Sequence, residues 1–430
     1  MNYSNPANLA LIACPGGEVF ADKVVSHLKK GYRRNFDSLI AELSQNYDIG
    51  NNAASRQVNF LNDVLSSSSK SGNVEEYRCP RLKAVTQFTL FPNGEIKAEI
   101  LESVRGKHVY IVQDVENRYP VGFNGGEEKT LSINDHLMTI FVAVDAAREA
   151  GAETITLVVP TYPYSRQHKK KGREGLTAGR VAKILESLGV NRIITLDIHS
   201  REINNAFDKM RLENLHASYQ IIRALCEIPG IFDDEFVVVS PDTGAADRNK
   251  FYASTLKKPL ALLYKERDYS IVSSNAIENN ISEIKLLGDI RGKTVFMADD
   301  MIGTGGTLLK AMTFLKEQGA RKVICAVSLP LFSGDAVRYF DEAYDKGLFY
   351  RIIGTNAVYH EELLWRQWYI SVNITKLFAQ TIRRLHQGLP ISSLLDNRSI
   401  IVKLFEESPD TGSPKGKFAP PKTAAETGKA

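Results

Sequence analysis

The sequence has few cysteines, no long apolar run and almost no net charge, and each shortage excludes a class of protein. Its four cysteines are spread singly along 430 residues, which predicts neither a disulfide framework nor a zinc site of paired cysteines. No apolar run approaches the roughly 18 residues that cross a bilayer. The first residues, MNYSNPANLA, lack the basic and apolar regions of a secretion signal. We therefore expect a soluble, cytoplasmic protein with no membrane partner.

An excess of one charge sign is also missing. The chain has 54 Lys and Arg against 50 Asp and Glu, a formal net charge of +4. Residues 408–430 supply +2 of this, with four Lys against one Asp and one Glu, and the rest is too near neutral to predict a nucleic acid partner. Because residues 408–430 are rich in Pro, Gly, Thr and Lys, we expect them to form a disordered tail.

What the sequence does have is a repeated alternation of short β-branched runs and amphipathic stretches. The runs lack the period-two pattern of half-exposed strands, which is typical of strands buried in parallel sheets. Strands are predicted at residues 109–112, 155–159, 193–198, 237–239, 260–263, 295–298 and 323–327. Helices are predicted at 135–150, 177–188 and 306–318, each followed by a glycine suited to a left-handed C-cap.

This alternation predicts an α/β fold with mainly parallel sheets flanked by helices. A less regular stretch at residues 201–234 separates two such groups, so we expect one domain over 1–215 and a second over 216–375. In parallel sheets, ligands bind beyond the carboxyl ends of the strands. The polar residues that follow each run are therefore the candidate site residues.

The segment 299–307, Asp-Asp-Met-Ile-Gly-Thr-Gly-Gly-Thr, follows one predicted strand and precedes a helix. Glycines let the backbone wrap an anion, and the helix N-terminus and the hydroxyls of Thr304 and Thr307 can donate hydrogen bonds to phosphate. Asp299 and Asp300 beside an anion site need another contact, such as sugar hydroxyls or a metal carried by the substrate. The segment therefore predicts a sugar phosphate site, the alternative being an acid-capped turn into an ordinary helix.

Four further strand ends carry polar residues. His199 and Asp242 each follow a run and could together hold a Mg²⁺-nucleotide, or they could be a hydrogen-bonded histidine and a turn cap. A loop with five basic residues in eight begins at Arg166 and is suited to polyphosphate, its alternative being a solvated charged loop. Lys265 and Arg267 add two cations at another strand end.

Together these residues resemble the ribose-phosphate diphosphokinases, also called phosphoribosyl pyrophosphate synthetases. The similarity runs in chain order from about residue 91 to 395, and no single motif decides it. The matching segments are 91–96, 102–107, 134–138, 164–167, 197–199, 240–242, 265–267, 288–290, 299–307, 331–334 and 382–386.

The resemblance implies a phosphoribosyltransferase-like fold and transfer of the β,γ-diphosphoryl group of MgATP to the C1 hydroxyl of ribose 5-phosphate, releasing AMP. Phe91, Asn93 and Glu95 would bind adenine across a subunit contact. Arg166 and Gln167 would contact ATP. A homo-oligomer, a hexamer of dimers, is implied as well, together with a C-terminal helical segment, 376–407, that returns to the first domain.

The resemblance also implies the residues that act on the sugar and the transferring phosphorus. Those that would bind ribose 5-phosphate are Asp299, Asp300, Thr304, Gly305, Gly306 and Thr307. His199 and Asp242 would surround Mg²⁺, and His199 would also take part in catalysis. Lys265 and Arg267 would steady the transferring group, because this reaction depends on alignment and on positive charge at the equatorial oxygens.

Three departures from the family pattern stand out. Gly303 occupies a position where relatives usually carry Asp, and the stretch before residue 91 is longer than usual. The basic loop after Arg166 is one residue short and carries Lys171 where an acidic residue is usual. These departures keep a non-catalytic regulatory paralogue as an alternative. A phosphoribosyltransferase is a second alternative, because it shares the segment 299–307.

Overall fold

The computed structural model describes residues 5–66, 72–170, 172–232, 235–267 and 281–406. The predicted tail at 408–430 lies outside these residues. The strands are Leu9–Ala13 (β1), Thr86–Leu90 (β2), Ile96–Ile100 (β3), His108–Val112 (β4), Val121–Gly122 (β5), Glu128–Lys129 (β6), Thr154–Val158 (β7), Arg192–Leu196 (β8), Arg211–Leu215 (β9), Phe236–Ser240 (β10), Leu260–Arg267 (β11), Ile281–Leu287 (β12), Thr294–Ile302 (β13), Lys322–Pro330 (β14), Arg351–Thr355 (β15) and Tyr369–Val372 (β16).

Helices connect most of these strands. They are Glu18–Tyr47 (α1), Asn51–Ser66 (α2), Ile133–Glu149 (α3), Thr177–Ser187 (α4), Ser218–Cys226 (α5), Ala246–Leu256 (α6), Gly306–Glu317 (α7), Ala336–Asp345 (α8), Thr375–His386 (α9), Ser392–Leu395 (α10) and Arg398–Glu406 (α11). None of the helices in the described ranges is long and apolar enough to cross a membrane.

Two sheets organise the chain. The first has five parallel strands in the order β1-β4-β7-β8-β9, and the second has seven in the order β12-β11-β10-β13-β14-β15-β16. Every pair in the second sheet is parallel except β11 with β12. Two hairpins, β2-β3 and β5-β6, stand apart from both sheets. The predicted α/β fold with mainly parallel sheets flanked by helices is confirmed.

The predicted strands agree with the structure to within a few residues, except that β11 and β13 each end four residues later than predicted. We predicted a strand at 295–298 followed by a loop, but β13 continues through both aspartates to Ile302. The reason lies in its neighbour, since β14 is also longer than predicted and pairs with β13 at Asp299↔Val327 and Met301↔Leu329. Backbone pairing thus extends the strand where the side chains turn polar.

A continuous apolar cluster joins the two sheets. It contains Leu196 of β8, Ile221 of α5 and Phe296 of β13, all at most 1% exposed. Helix α9 packs against α1, with the rings of Phe20 and Phe378 5.2 Å apart at 88°. Because buried side chains are close-packed, this cluster fixes one sheet against the other.

Candidate active site

The carboxyl ends of β8 and β13, one from each sheet, meet through a direct side-chain contact. Nδ1 of His199 lies 2.5 Å from Oδ2 of Asp300. Asp300 is 8% exposed and stands in β13, whereas His199 follows β8 by three residues. Two of the predicted site residues, far apart in sequence, are therefore in contact where the two sheets meet.

The charges at this contact are distributed unequally between the two aspartates. Burial, and next the charge of Asp300, raises the pKa of Asp299 well above its usual range. Burial opposes ionisation of Asp300 as well, but the hydrogen bond and charge of His199 hold the pKa of Asp300 below its usual value. The same hydrogen bond raises the pKa of His199. The contact is therefore an ion pair, with Asp299 beside it as the harder carboxyl to ionise.

A second contact between the two sheets centres on Asp197, which was not predicted as a site residue. Its Oδ1 lies 2.7 Å from Nδ1 of His216 and 3.4 Å from Arg248. Its Oδ2 accepts a hydrogen bond of 2.5 Å from the hydroxyl of Ser328. Burial would raise the pKa of Asp197, but these partners hold it well below its usual range. Asp197 also has φ +40°, and such strain often accompanies functional sites.

The position of Asp197 in the Asp-Ile-His strand end was the one available signal for this contact. Arg248 gave none, because an arginine on helix α6 looks like any surface residue in sequence. Its surroundings in the structure show its importance instead, since Arg248 faces the charges of Asp197, Asp300 and Asp299.

The turn between β13 and α7 has the features of an anion site. Gly305 has φ +78°, and a side chain there would lie 2.3 Å from the ring of Phe340, so only glycine fits. Helix α7 begins at Gly306 with no side-chain cap, which leaves its first N–H groups available to a ligand. Thr304 and Thr307 are exposed beside them.

Asp242 follows the end of β10 by two residues, and β10 is the neighbour of β13 in the sheet. Its Oδ1 accepts a hydrogen bond of 2.9 Å from the N–H of Ala245, as the turn-cap alternative requires. Its charge also contributes to the raised pKa of Asp299, so it stands close to the acidic pair. Asp242 is therefore a turn cap at the edge of the predicted site.

Arg166 reaches from the first sheet to the second. Its Nε lies 3.0 Å from Sδ of Met301, and a side chain at Gly303 would lie 2.7 Å from its Nη2. The neighbouring Gln167 is exposed, with its N–H bonded to the carbonyl of Tyr164 at 2.9 Å. The missing side chain at position 303 is thus the space in which the Arg166 guanidinium lies.

The three residues predicted to bind adenine lie in a hairpin turn and not at the strand ends of the two sheets. Phe91, Asn93 and Glu95 form the exposed turn between β2 and β3, and Phe91 is 42% exposed. Within the described residues, no hydrogen bond or ion pair joins this turn to Arg166 or Gln167. In the part of the chain that the structure describes, the predicted adenine residues are therefore not joined to the rest of the site by a hydrogen bond or an ion pair.

Lys265 and Arg267 stand at the end of β11, next to β10. Their side chains lie outside the described part of the structure, so their predicted role remains a prediction.

The acidic strand, the glycine-rich turn and the helix N-terminus at the end of a parallel sheet define a phosphoribosyltransferase-type domain. Residues 209–363 match the family model described as "Phosphoribosyl transferase domain", and residues 74–189 match the "N-terminal domain of ribose phosphate pyrophosphokinase". The chain belongs to the ribose-phosphate pyrophosphokinase family, and it is an enzyme of the diphosphotransferase class. The family predicted from the sequence motifs is confirmed.

Individual relatives agree with the family models. The chain is 33% identical to ribose-phosphate pyrophosphokinase 2 of Enterococcus faecalis over 318 residues, which is 74% of this chain and 88% of the relative. It is 36% identical to ribose-phosphate pyrophosphokinase A of Dictyostelium discoideum over 310 residues, 71% of this chain and 88% of the relative. The crystal structure of phosphoribosylpyrophosphate synthetase from Mycobacterium smegmatis is similar at a TM-score of 0.64 and 26% identity, covering 89% of this chain and 99% of that one.

Proposed function

We propose that the cleft between the two sheets is where this chain transfers the β,γ-diphosphoryl group of ATP to ribose 5-phosphate. The C1 hydroxyl oxygen attacks the β-phosphorus, and the bond from that phosphorus to the oxygen bridging the α-phosphate breaks. AMP leaves with the bridging oxygen, the hydroxyl proton is released, and phosphoribosyl pyrophosphate forms. Two phosphorylated substrates must align for this step, which requires two anion sites facing each other.

The observation that supports this most strongly is the 2.5 Å contact between His199 and Asp300. It joins the strand end beside the basic loop of Arg166 to the strand that leads into the glycine-rich turn. The sugar phosphate would bind at the turn of residues 303–307, with its ring hydroxyls on Asp299 and Asp300. The ATP phosphates would then lie between His199 and Arg166, opposite the sugar.

Magnesium would enter as the partner of ATP. Within the described part of the chain, no three acidic, histidine or cysteine side chains are grouped closely enough to hold a metal ion by themselves. Mg²⁺ commonly keeps one or two protein ligands and takes the rest from substrate phosphates, and the carboxylate of Asp242, whose charge acts on the neighbouring Asp299, fits that demand. We assign Asp242 and His199 to the surroundings of Mg²⁺, which when bound would neutralise charge on the transferring phosphates.

The positive charge that catalysis needs at the transferring group is assigned to Lys265 and Arg267. Their strand, β11, borders β10 on the side of the sheet away from β13, and their positions follow the apolar part of the strand. Electrostatic stabilisation of this kind is commonly the largest catalytic contribution in group transfer.

We also propose that the enzyme is a cytoplasmic homo-oligomer with one domain over 1–215 and a second over 216–375. The exposed turn at Phe91, Asn93 and Glu95 supports oligomerisation, because a neighbouring subunit would complete the adenine site. All four cysteines are free thiols, as expected in a reducing compartment. Sedimentation tests the assembly: a catalytically competent monomer would contradict it.

The reaction is tested by following AMP formation from ATP with and without ribose 5-phosphate. We expect AMP that depends on the sugar. A regulatory paralogue would bind both substrates without forming AMP. A phosphoribosyltransferase would form no AMP from ATP but would consume phosphoribosyl pyrophosphate when a base is supplied.

A further inference from the structure

A small basic pocket lies between α1 and α9, away from the cleft of the two sheets. It has a volume of about 150 Å³ and is lined by His27, Gly31, Arg34, Asn35, Lys376, Ala379, Gln380 and Arg383. The lining therefore has three permanent cations and a histidine but no carboxylate. In the described part of the chain, none of the four basic side chains forms an ion pair with an acidic group.

The cations of this pocket repel one another. Burial, and next the charges of Lys30, Lys376 and Arg34, lowers the pKa of His27. Burial together with the neighbouring charges of Arg384 and Arg34 lowers the pKa of Arg383. Clustered like charges lower the stability of a fold. A negatively charged ligand that bound among them would remove this cost.

Two local features of the helices also carry a cost. Lys376 is in the first turn of α9, which contains no acidic residue, although the helix dipole disfavours a cation there. Gly31 lies inside α1, where glycine costs about 1 kcal/mol relative to alanine. A side chain at position 31 would lie 3.2 Å from Cδ of Arg383. Arg383 instead reaches across α1 and donates a hydrogen bond of 2.6 Å to Oδ1 of Asn35.

We propose that this basic pocket is a second binding site, for the phosphate group of a small anion. Arg34 and Lys376 would supply charge from the two helices. Arg383, held by Asn35, would supply the planar donors that suit phosphate oxygens. A bound phosphate would remove the repulsion among the cations and would join α1 to α9.

Hydrogen exchange of the full chain with increasing inorganic phosphate locates the site, and ADP in a second series distinguishes a free phosphate from a nucleotide. We expect slower exchange at residues 27–35 and 375–383 with at least one of the two anions. The double variant Arg34→Gln/Lys376→Gln should require an anion concentration at least about tenfold higher for the same slowing of exchange. The matched variant Arg211→Gln/Lys346→Gln, which removes two exposed cations elsewhere, should behave as the wild type.

The measurement separates this site from the proposed active site, because protection at residues 303–307 reports on the latter. If neither anion slows exchange in α1 and α9, the second site is contradicted. Equal protection in the wild type and in the Arg34→Gln/Lys376→Gln variant would contradict it as well.

A different observation carries a second inference, about the segment that follows β4. Arg118 donates hydrogen bonds of 2.7 Å to the carbonyl of Phe332 and 2.8 Å to the hydroxyl of Ser333, both in the second domain. The hydroxyl of Tyr119 accepts a bond of 2.9 Å from the N–H of Glu361. This segment therefore connects the first domain to two loops of the second.

The residues that Arg118 contacts support the glycine-rich turn. The N–H of Phe332 bonds the carbonyl of Ile302, and the N–H of Ser333 bonds the carbonyl of Gly303, each at 2.9 Å. Phe332 has φ +41°, an unfavourable conformation for a bulky residue. Its carbonyl and its neighbour's hydroxyl are the groups that Arg118 fixes.

We infer that Arg118 is a positioning residue for ribose 5-phosphate, an inference that rests on the proposed function. Arg118→Ala should raise KM for ribose 5-phosphate about tenfold or more, with KM for ATP within about twofold. Arg118→Lys, which retains one donor at a time, should restore part of the difference. Arg211→Ala, which removes an exposed arginine from β9, is the matched control.

Amide exchange keeps this test independent of activity. Arg118→Ala should speed exchange at residues 303–307 and 331–334 even if the proposed reaction were wrong. Unchanged exchange there, or equal changes in the two KM values, would contradict the role of Arg118. Wild-type protein that forms no sugar-dependent AMP would contradict the proposed function instead.

Discussion

His199 and Asp300 form an ion pair at 2.5 Å although 101 residues separate them in the chain. His199 follows β8 of the first sheet, and Asp300 lies near the end of β13 in the second sheet. Their contact therefore requires the two sheets to be packed in one arrangement. The pair also sets the charge of the site, because it keeps Asp300 ionised while its neighbour Asp299 is harder to ionise.

Removing either member of this pair should reduce turnover by about 100-fold, because the remaining member loses its orientation and charge partner. The double variant His199→Ala/Asp300→Asn should lose little more than either single variant, since residues that act as a unit are not additive. The rate of sugar-dependent AMP formation measures this. Multiplicative losses would show that the two residues act independently.

Gly303→Ala should raise KM for ATP about tenfold, a loss of about 1.4 kcal/mol. The added methyl group would lie 2.7 Å from Nη2 of Arg166 and would displace the guanidinium. Gly122→Ala is the control, because nothing lies within 4 Å of its side-chain position. An unchanged KM for ATP would contradict the proposed role of Arg166 in nucleotide binding.

Lys265→Ala should retain substrate binding and lose turnover by about 2.7 to 4 kcal/mol, the cost of removing an electrostatic donor from a transition state. Single-turnover rates and equilibrium binding of ATP measure the two properties separately. Lys257→Ala, an exposed lysine after α6, is the control. A normal rate would remove the assignment.

Stability should fall as the pH is lowered through the titration of His386. Burial lowers the pKa of His386 to about 4. Its Nε2 donates to the carbonyl of Asn5 at 3.2 Å, and its buried Nδ1 has no hydrogen-bond partner within the described residues. The neutral ring is therefore preferred in the folded state.

Because the folded-state pKa is depressed, the contribution is present above the unfolded pKa of about 6.5 and is lost as the pH falls toward 4. The shift corresponds to at most about 3.4 kcal/mol. Urea unfolding at several pH values should show a shallower pH dependence for His386→Gln than for the wild type. Parallel curves for the two proteins would contradict the assignment.

Much of this fold could be predicted from the sequence, because strands buried on both faces read as apolar runs and helices end at glycines. Gly151, Gly189 and Gly319 all have positive φ, as their predicted C-cap positions require. The extension of β13 could not be predicted, since it depends on pairing with β14 and not on its own side chains.

The candidate site was predictable where short motifs stand at strand ends, as with His199 and Asp300. Contacts that isolated residues form between the two sheets could not be predicted, because nothing in the local sequence of Arg248 or Arg118 indicates a long-range partner. The helical segment before residue 74 likewise gave no signal for the basic pocket, which exists only where α1 meets α9.

The most direct test of the reaction is ³¹P NMR of the full-length enzyme mixed with MgATP and ribose 5-phosphate. We predict that ATP is converted to AMP in equal amount with a diphosphate attached to the sugar. Appearance of ADP with a singly phosphorylated C1, or consumption of ATP that is the same without the sugar, would contradict diphosphoryl transfer between the two sheets.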